Sequence, residues 1–150
     1  MERLDLDILN LMMKDAKLTY EEMSERLERS VSTIRDRIKM MENQGIILGY
    51  SAIIDESRMG ISIDALLAAD LDKQESGEVV ATLLSFENVR EIICLTGEKR
   101  LLLRIKARDG KELLNFLDRN IRPMRLKGLE LMLVLEPIVR FPGIKNKAPP

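Results

Sequence analysis

Between Arg26 and Lys39 the chain gathers five cations, Arg26, Arg29, Arg35, Arg37 and Lys39, against only two carboxylates, Glu28 and Asp36. Short hydrogen-bonding side chains, Ser30, Ser32 and Thr33, are interleaved with them, and Asn43 follows. Cations of this density suit phosphate, and small polar groups between them suit the edges of bases. A solvated helix face is the competing reading, since charge runs are commonly that. No histidine occurs anywhere, which removes the commonest general base and metal ligand and every Ser-His or Cys-His nucleophile. The single Cys94 can form neither an internal disulfide nor a zinc site; lying in an apolar run, it reads as a buried small hydrophobe in a reducing compartment. The composition therefore points to binding rather than catalysis, with no catalytic residue, metal or cofactor called for.

The elements that would present these residues follow from periodicity. Ile8, Leu11 and Met12 share one face of a first helix that Asp5 can cap. Thr19-Tyr20-Glu21-Glu22 is a capping box for a second helix, with Leu18 and Met23 at the staple positions. Ser30 caps a third helix that ends near Asn43, before Gly45, so the second and third helices meet across a tight turn. Val31, Ile34, Ile38 and Met41 form the buried stripe of this third helix. At about 100° per residue the opposite side holds Ser32, Asp36, Lys39 and Asn43, flanked by Thr33, Arg35 and Arg37. A helix so divided fits the major groove of double-stranded DNA, with Arg29, Arg35 and Arg37 on phosphate.

Beyond Gly60 the period changes from helical to alternating. Ile61 to Leu71 alternates as a strand; Ser76 can cap a helix bearing Val79, Val80, Leu83 and Leu84; and Val89 to Leu95 gives a second strand. Thr96-Gly97-Glu98 turns the chain into a third strand, Arg100 to Lys106, with Leu101, Leu103 and Ile105 on one face. Asp109 opens a helix with Leu113, Leu114, Leu117 and Ile121 apolar, and Leu129 to Leu135 forms the fourth strand. The order βαββαβ is the ferredoxin-like arrangement, an antiparallel sheet with both helices on one face. Alternation then assigns Leu66, Ala68, Ile92, Cys94, Leu102, Met132 and Val134 to the bare face. That surface is apolar enough to demand a partner, and face-to-face packing of two copies satisfies it. Coverage by Ile138, Val139 and Phe141 of the tail is the alternative.

The fold class is thus α+β, divided into a helix-turn-helix domain (1–45), a β tether (46–60), a ferredoxin-like domain (61–138) and a C-terminal tail (139–150) that reads as partly disordered. At 150 residues with 45% hydrophobic and 33% charged side chains, the chain suits a soluble cytoplasmic protein. Its charged N-terminus does not read as a signal peptide, and no run is long and apolar enough for a membrane span. The net charge of −1 gives no global basic field, so any affinity for nucleic acid is local.

Leu4-Asp5-x-x-Ile8-Leu9, Leu18-Thr19, Ser30-Val31-Ser32-Thr33-Ile34-x-x-Arg37-Ile38 and Glu42-Asn43-Gln44-Gly45-Ile46-Ile47-x-Gly49-Tyr50 resemble the Lrp/AsnC, or feast/famine, transcription regulators, and residues 61 to 135 follow the second domain of that family. The resemblance implies DNA binding through the third helix and a strand over Ile46 to Ile54 tethering it to a second domain. That domain would build homodimers and higher homo-oligomers and bind amino acids. It also implies an effector site at the loop of Thr96, Gly97, Glu98 and Arg100. Gly97 can offer backbone N–H groups to a carboxylate there, although a plain hairpin turn is the simpler reading.

Three departures stand out. Glu28 and Arg29 occupy positions where the family has glycine and an apolar residue; Arg100 replaces an acid; and Leu129 and Leu131 replace hydroxyl side chains. An arginine would repel an α-ammonium, so altered effector chemistry, or none, is expected. An effector-sensing or architectural oligomer with little sequence preference is the alternative function. An enzyme is disfavoured, because similar folds that decarboxylate haem precursors are expected to use the histidine missing here.

Overall fold

The computed structural model describes residues 1–71, 76–140 and 144–145, with only the backbone described at 76, 139–140 and 144–145. It divides into two compact units, Met1–Ile53 and Ile54–Pro150. The first consists of α1 (Arg3–Lys14), α2 (Tyr20–Leu27) and α3 (Val31–Asn43). Thr19 caps α2 by accepting a hydrogen bond from the Glu22 amide at 3.2 Å, and the Glu22 carboxylate returns one to the Thr19 amide at 2.7 Å. Leu18 and Met23 both join the core, as a hydrophobic staple requires. Asp5 is not the cap of α1. Glu2 holds that place, and Asp5 sits three residues inside, accepting from the Glu2 amide.

Ile8, Met23, Ile34, Ile38 and Met41 are the buried core of this unit. The chain leaves α3 through Gly45, at φ 68°, where the Met41 carbonyl accepts from the Ile46 and Ile47 amides. Only glycine adopts such a φ without strain. The expected tether strand over Ile46 to Ile54 is not formed: among the described residues no strand lies between α3 and Ile63. A strand exists only against a neighbouring one, and none of the sheet's ladders includes this segment.

The second unit is built on β1 (Ile63–Asp70), α4 (Ser76–Leu84), β2 (Val89–Cys94), β3 (Leu101–Ala107), α5 (Gly110–Phe116) and β4 (Lys127–Leu133). A π-helical turn, Leu117–Ile121, and a short 3-10 turn, Arg122–Met124, extend α5. The four strands pair antiparallel in the order β2-β3-β1-β4. Ala65, Leu67, Ala69, Leu101, Leu103 and Ile105 are buried under the helices with Leu83, Leu113, Phe116 and Ile121. Phe86 meets Phe116 edge-to-face at 5.4 Å. Of the apolar residues on these helices, Leu84 and Leu114 are exposed, because each stands one position beyond the residue, Leu83 or Leu113, that faces the sheet.

One further expectation fails at the edge of the sheet. Cys94 is exposed rather than buried, since β2 is an edge strand. Within the tail, read as partly disordered, Val139–Arg140 pairs antiparallel with Ile144–Lys145, which does not contradict that reading. Phe141, Pro142, Pro149 and Pro150 lie outside the described residues, as does the side chain of Ser76. Among the described residues no helix is long and apolar enough to cross a membrane.

Candidate nucleic-acid interface and effector loop

Helix α3 is positioned from both ends and from beneath. Its first turn is capped by Ser30, whose Oγ accepts from the Thr33 amide at 3.1 Å and lies 2.9 Å from Ser32 Oγ and 2.7 Å from Thr33 Oγ1. The preceding turn passes through Glu28 in the left-handed region, φ 51°. That conformation costs a non-glycine residue about 1 kcal/mol or more. It allows the Arg29 amide to reach back to the Ser24 carbonyl at 3.1 Å. The side chain of Arg29 folds onto the Glu28 carbonyl through Nη1 at 3.0 Å.

Ser32, Arg35, Asp36, Lys39 and Asn43 are exposed, as are Arg29 and Ser30, and Thr33 is half-buried. The structure therefore brings one side of α3 to solvent with hydroxyl, carboxylate, amide and cationic groups in succession along about three turns. The Arg35 guanidinium lies 5.8 Å from the centroid of the Tyr20 ring, a cation-π distance that links α3 to the start of α2. Periodicity along α3 carried no sign of that contact. Tyr50 was likewise missed; its hydroxyl donates to Glu42 at 2.7 Å and ties the segment after α3 back to the helix.

Arg37, read as a phosphate contact, is engaged within the chain instead of projecting freely from the exposed face. Its Nε and Nη2 donate to the two oxygens of Asp5, each at 2.7 Å, and its Nη1 donates to Glu2 at 3.1 Å. Asp5 is fully buried, so this bidentate pair binds α1 to α3 beneath the exposed face. A signal was present in the sequence. Asp5, Ile8 and Met12 fall on one helical stripe, which makes Asp5 a carboxylate among core positions.

The hydrogen bond from Arg37 holds the Asp5 carboxyl below its ordinary value of 3.8, with burial acting in the opposite direction. A carboxyl lowered by folding binds protons more tightly in the unfolded chain. Its stabilisation is therefore complete above 3.8 and drains as pH falls through the lower folded value. Thermal melts of the first unit at pH 6 and pH 3 are expected to show a larger acid loss for the native chain than for Asp5→Asn, and equal losses would refute the assignment.

In the second unit, Thr96, Gly97, Glu98 and Arg100 form the exposed loop between β2 and β3. The loop is closed by the Leu95 amide donating to the Arg100 carbonyl at 2.7 Å, and Gly97 takes φ 102°. Arg100 also lines a concave site with Asp70, Leu71 and residues 124–127; Thr96, Gly97 and Glu98 do not.

The open face of the sheet carries Leu66, Ala68, Leu102 and Met132, in agreement with their alternation, and Val134 follows just beyond the end of β4, its amide donating to the Asp64 carbonyl at 2.8 Å. Ile92 and Cys94 do not share it. They register with Leu103 and Leu101 on the helix side, whereas Ile93 pairs with Leu102 on the open side. The run Ile92-Ile93-Cys94 is apolar at every position, so alternation cannot choose its face, and an irregularity between Val89 and Glu91 sets the register. Beyond the apolar residues the same face becomes ionic. Arg104 grips Asp64 through two hydrogen bonds at 2.9 and 2.8 Å, while Lys106 bridges Asp64 and Glu56 at 2.9 and 3.0 Å.

A three-helix unit with a capped, outward-facing third helix and a separate βαββαβ unit define a helix-turn-helix DNA-binding protein with an appended α+β domain. Comparison with known proteins bears on both halves. The winged helix-turn-helix DNA-binding family matches residues 1–47, and the Lrp/AsnC ligand binding domain matches residues 64–144. The transcriptional regulator LrpA of Pyrococcus horikoshii is 32% identical over 117 residues, covering 78% of this chain and 83% of its own. Escherichia coli AsnC superposes with a TM-score of 0.83 at 23% identity, over 93% of this chain and 95% of its own. A Neisseria meningitidis regulator solved as an L-Met complex superposes at 0.86, with 23% identity over 93% of each chain. The chain belongs to the Lrp/AsnC family of transcription regulators. It is a DNA-binding regulator with a ligand-binding domain.

Proposed function

We propose that this protein is a sequence-specific cytoplasmic regulator acting as a homodimer, with α3 of each copy in the major groove of one half of a roughly palindromic site. The observation that carries this reading is the division of α3. Ile34, Ile38 and Met41 are buried, while Ser32, Arg35, Asp36, Lys39 and Asn43 stand exposed on the other side. Arg29 and Arg35 take the phosphates, Arg35 steadied by Tyr20. Asp36, Lys39 and Asn43 face base edges together with Ser32 and Thr33, and Asp36 suits the amino group of cytosine. The two copies meet through Leu66, Ala68, Ile93, Leu102 and Met132. A small effector of the amino-acid class, supported by the L-Met complex of the Neisseria relative, is read by the end of the second unit that carries Thr96 to Arg100.

Fluorescence anisotropy on a selected genomic fragment and on random duplex, each across a salt series, tests the division of roles. Arg35→Ala, which removes one phosphate contact from each copy of the proposed homodimer, is expected to weaken binding to both duplexes and lower the slope of log affinity against log salt by about 1.8. Asp36→Ala is expected to change preference between sequences by about 1 to 3 kcal/mol while leaving the slope unchanged. A specificity ratio near one in the native chain would favour an architectural oligomer and overturn the proposal.

A further inference from the structure

The cavity beside the β2–β3 loop has a charge pattern that neutral amino acids do not match. About 400 Å³ in volume, it lies at the end of the sheet where β1 stops and β4 starts. Arg100, Arg125 and Lys127 contribute three cations to its wall, and Asp70 contributes one carboxylate. Among the described residues none of the three cations is ion-paired within the chain. Leu71, Met124 and Leu126 are the cavity's apolar lining residues. Arg125 occupies the left-handed region at φ 54°, a backbone conformation unfavourable for any side-chain-bearing residue, and it lines the cavity all the same. The neighbouring Lys99 ammonium donates to the Gly128 carbonyl, joining the hairpin loop to the first residues of β4.

We infer that this cavity binds a small acid carrying two carboxylates on a short carbon chain. The inference deepens the effector reading proposed above and rests on it. Counting the described lining residues, a zwitterion of zero net charge would leave two of the cations uncompensated, whereas two carboxylates balance that surplus, and the carbon chain between them would meet the apolar lining. Asp70 determines the variety. It would receive the ammonium of an acidic amino acid, or else lie opposite a dicarboxylate that has none. The volume suits molecules of either kind.

Calorimetric titration of the full chain at low salt with L-glutamate, 2-oxoglutarate, L-leucine and L-lysine tests this. At least one of the two dicarboxylates is expected to bind ten-fold or more tightly than L-leucine and L-lysine. Arg100→Glu and Lys127→Glu are each expected to weaken that binding ten-fold or more, with unchanged circular dichroism, and Arg100→Lys to recover part of it. Preference for L-glutamate that disappears in Asp70→Asn would support the amino-acid form, and preference for 2-oxoglutarate the form without ammonium. Absence of binding by both dicarboxylates, equal binding of L-leucine, or affinity indifferent to Arg100 and Lys127 would overturn the inference. DNA binding followed separately by anisotropy keeps the two readings apart. Intact DNA binding without dicarboxylate heat refutes the effector class alone, and dicarboxylate heat without DNA binding refutes the regulator alone.

Discussion

Asp5→Ala is expected to remove a large part of the stability of the N-terminal unit and to lower its melting temperature markedly. Removing one member of a buried ion pair leaves its partner uncompensated and costs about 3 kcal/mol or more. A unit of this size has a total stability of roughly 3 to 8 kcal/mol at about 0.05 to 0.15 kcal/mol per residue. Asp5 also accepts the Glu2 amide, so the start of α1 loses its box together with the clamp on α3. Arg37→Ala acts in the same direction, because it strands a fully buried carboxylate. The decisive measurement is a thermal melt followed at a helical wavelength, combined with DNA affinity at a temperature where the variant remains folded. There the salt slope of the Arg37 variant is expected to match that of the native chain, unlike the slope of Arg35→Ala. A folded Arg37→Ala with a reduced slope would return Arg37 to the phosphate set.

The second large effect is expected at the open face of the sheet. Leu102 stands between Ala68 and Ile93 in the register, at the centre of the apolar region. Leu102→Asp places a carboxylate where the proposed dimer would exclude water, at a cost of about 3 kcal/mol for an unpaired buried charge. That corresponds to roughly a hundred-fold weaker self-association. Sedimentation equilibrium should show monomers in the concentration range where the native chain is dimeric, with the secondary structure retained. Affinity for a two-half-site duplex should fall with it, because two helices are no longer delivered together. An unchanged association constant would mean that the copies meet elsewhere.

How far the sequence revealed this molecule differs from element to element. The strict alternation of Leu101, Leu103 and Ile105, and the caps at Thr19, Ser30 and Asp109, gave the helices, strands and turns directly, since each is a signal confined to a few residues. The engagement of Arg37 was not legible because its partner Asp5 lies 32 positions away, beyond any local pattern. Ile92 and Cys94 were misplaced because a wholly apolar run has no period to read. The segment over Ile46 to Ile54 has strand-like composition, but composition does not supply a neighbour to pair with. Arg125 and Lys127 were not anticipated as neighbours of Arg100, because only closure of the sheet brings the start of β4 beside the β2–β3 turn.

The three hydroxyls at the start of α3 bear on how a base sequence can be discriminated. Ser30, Ser32 and Thr33 are engaged with one another, and Ser30 additionally receives a main-chain amide. Three oxygens hold only three hydrogens, and a hydrogen spent on a sibling is withheld from a nucleotide. In the proposed complex this end of the rod would therefore have few hydrogens left to offer a base. In that proposal most of the selectivity would pass to Asp36, Lys39 and Asn43, which stand exposed further along the helix.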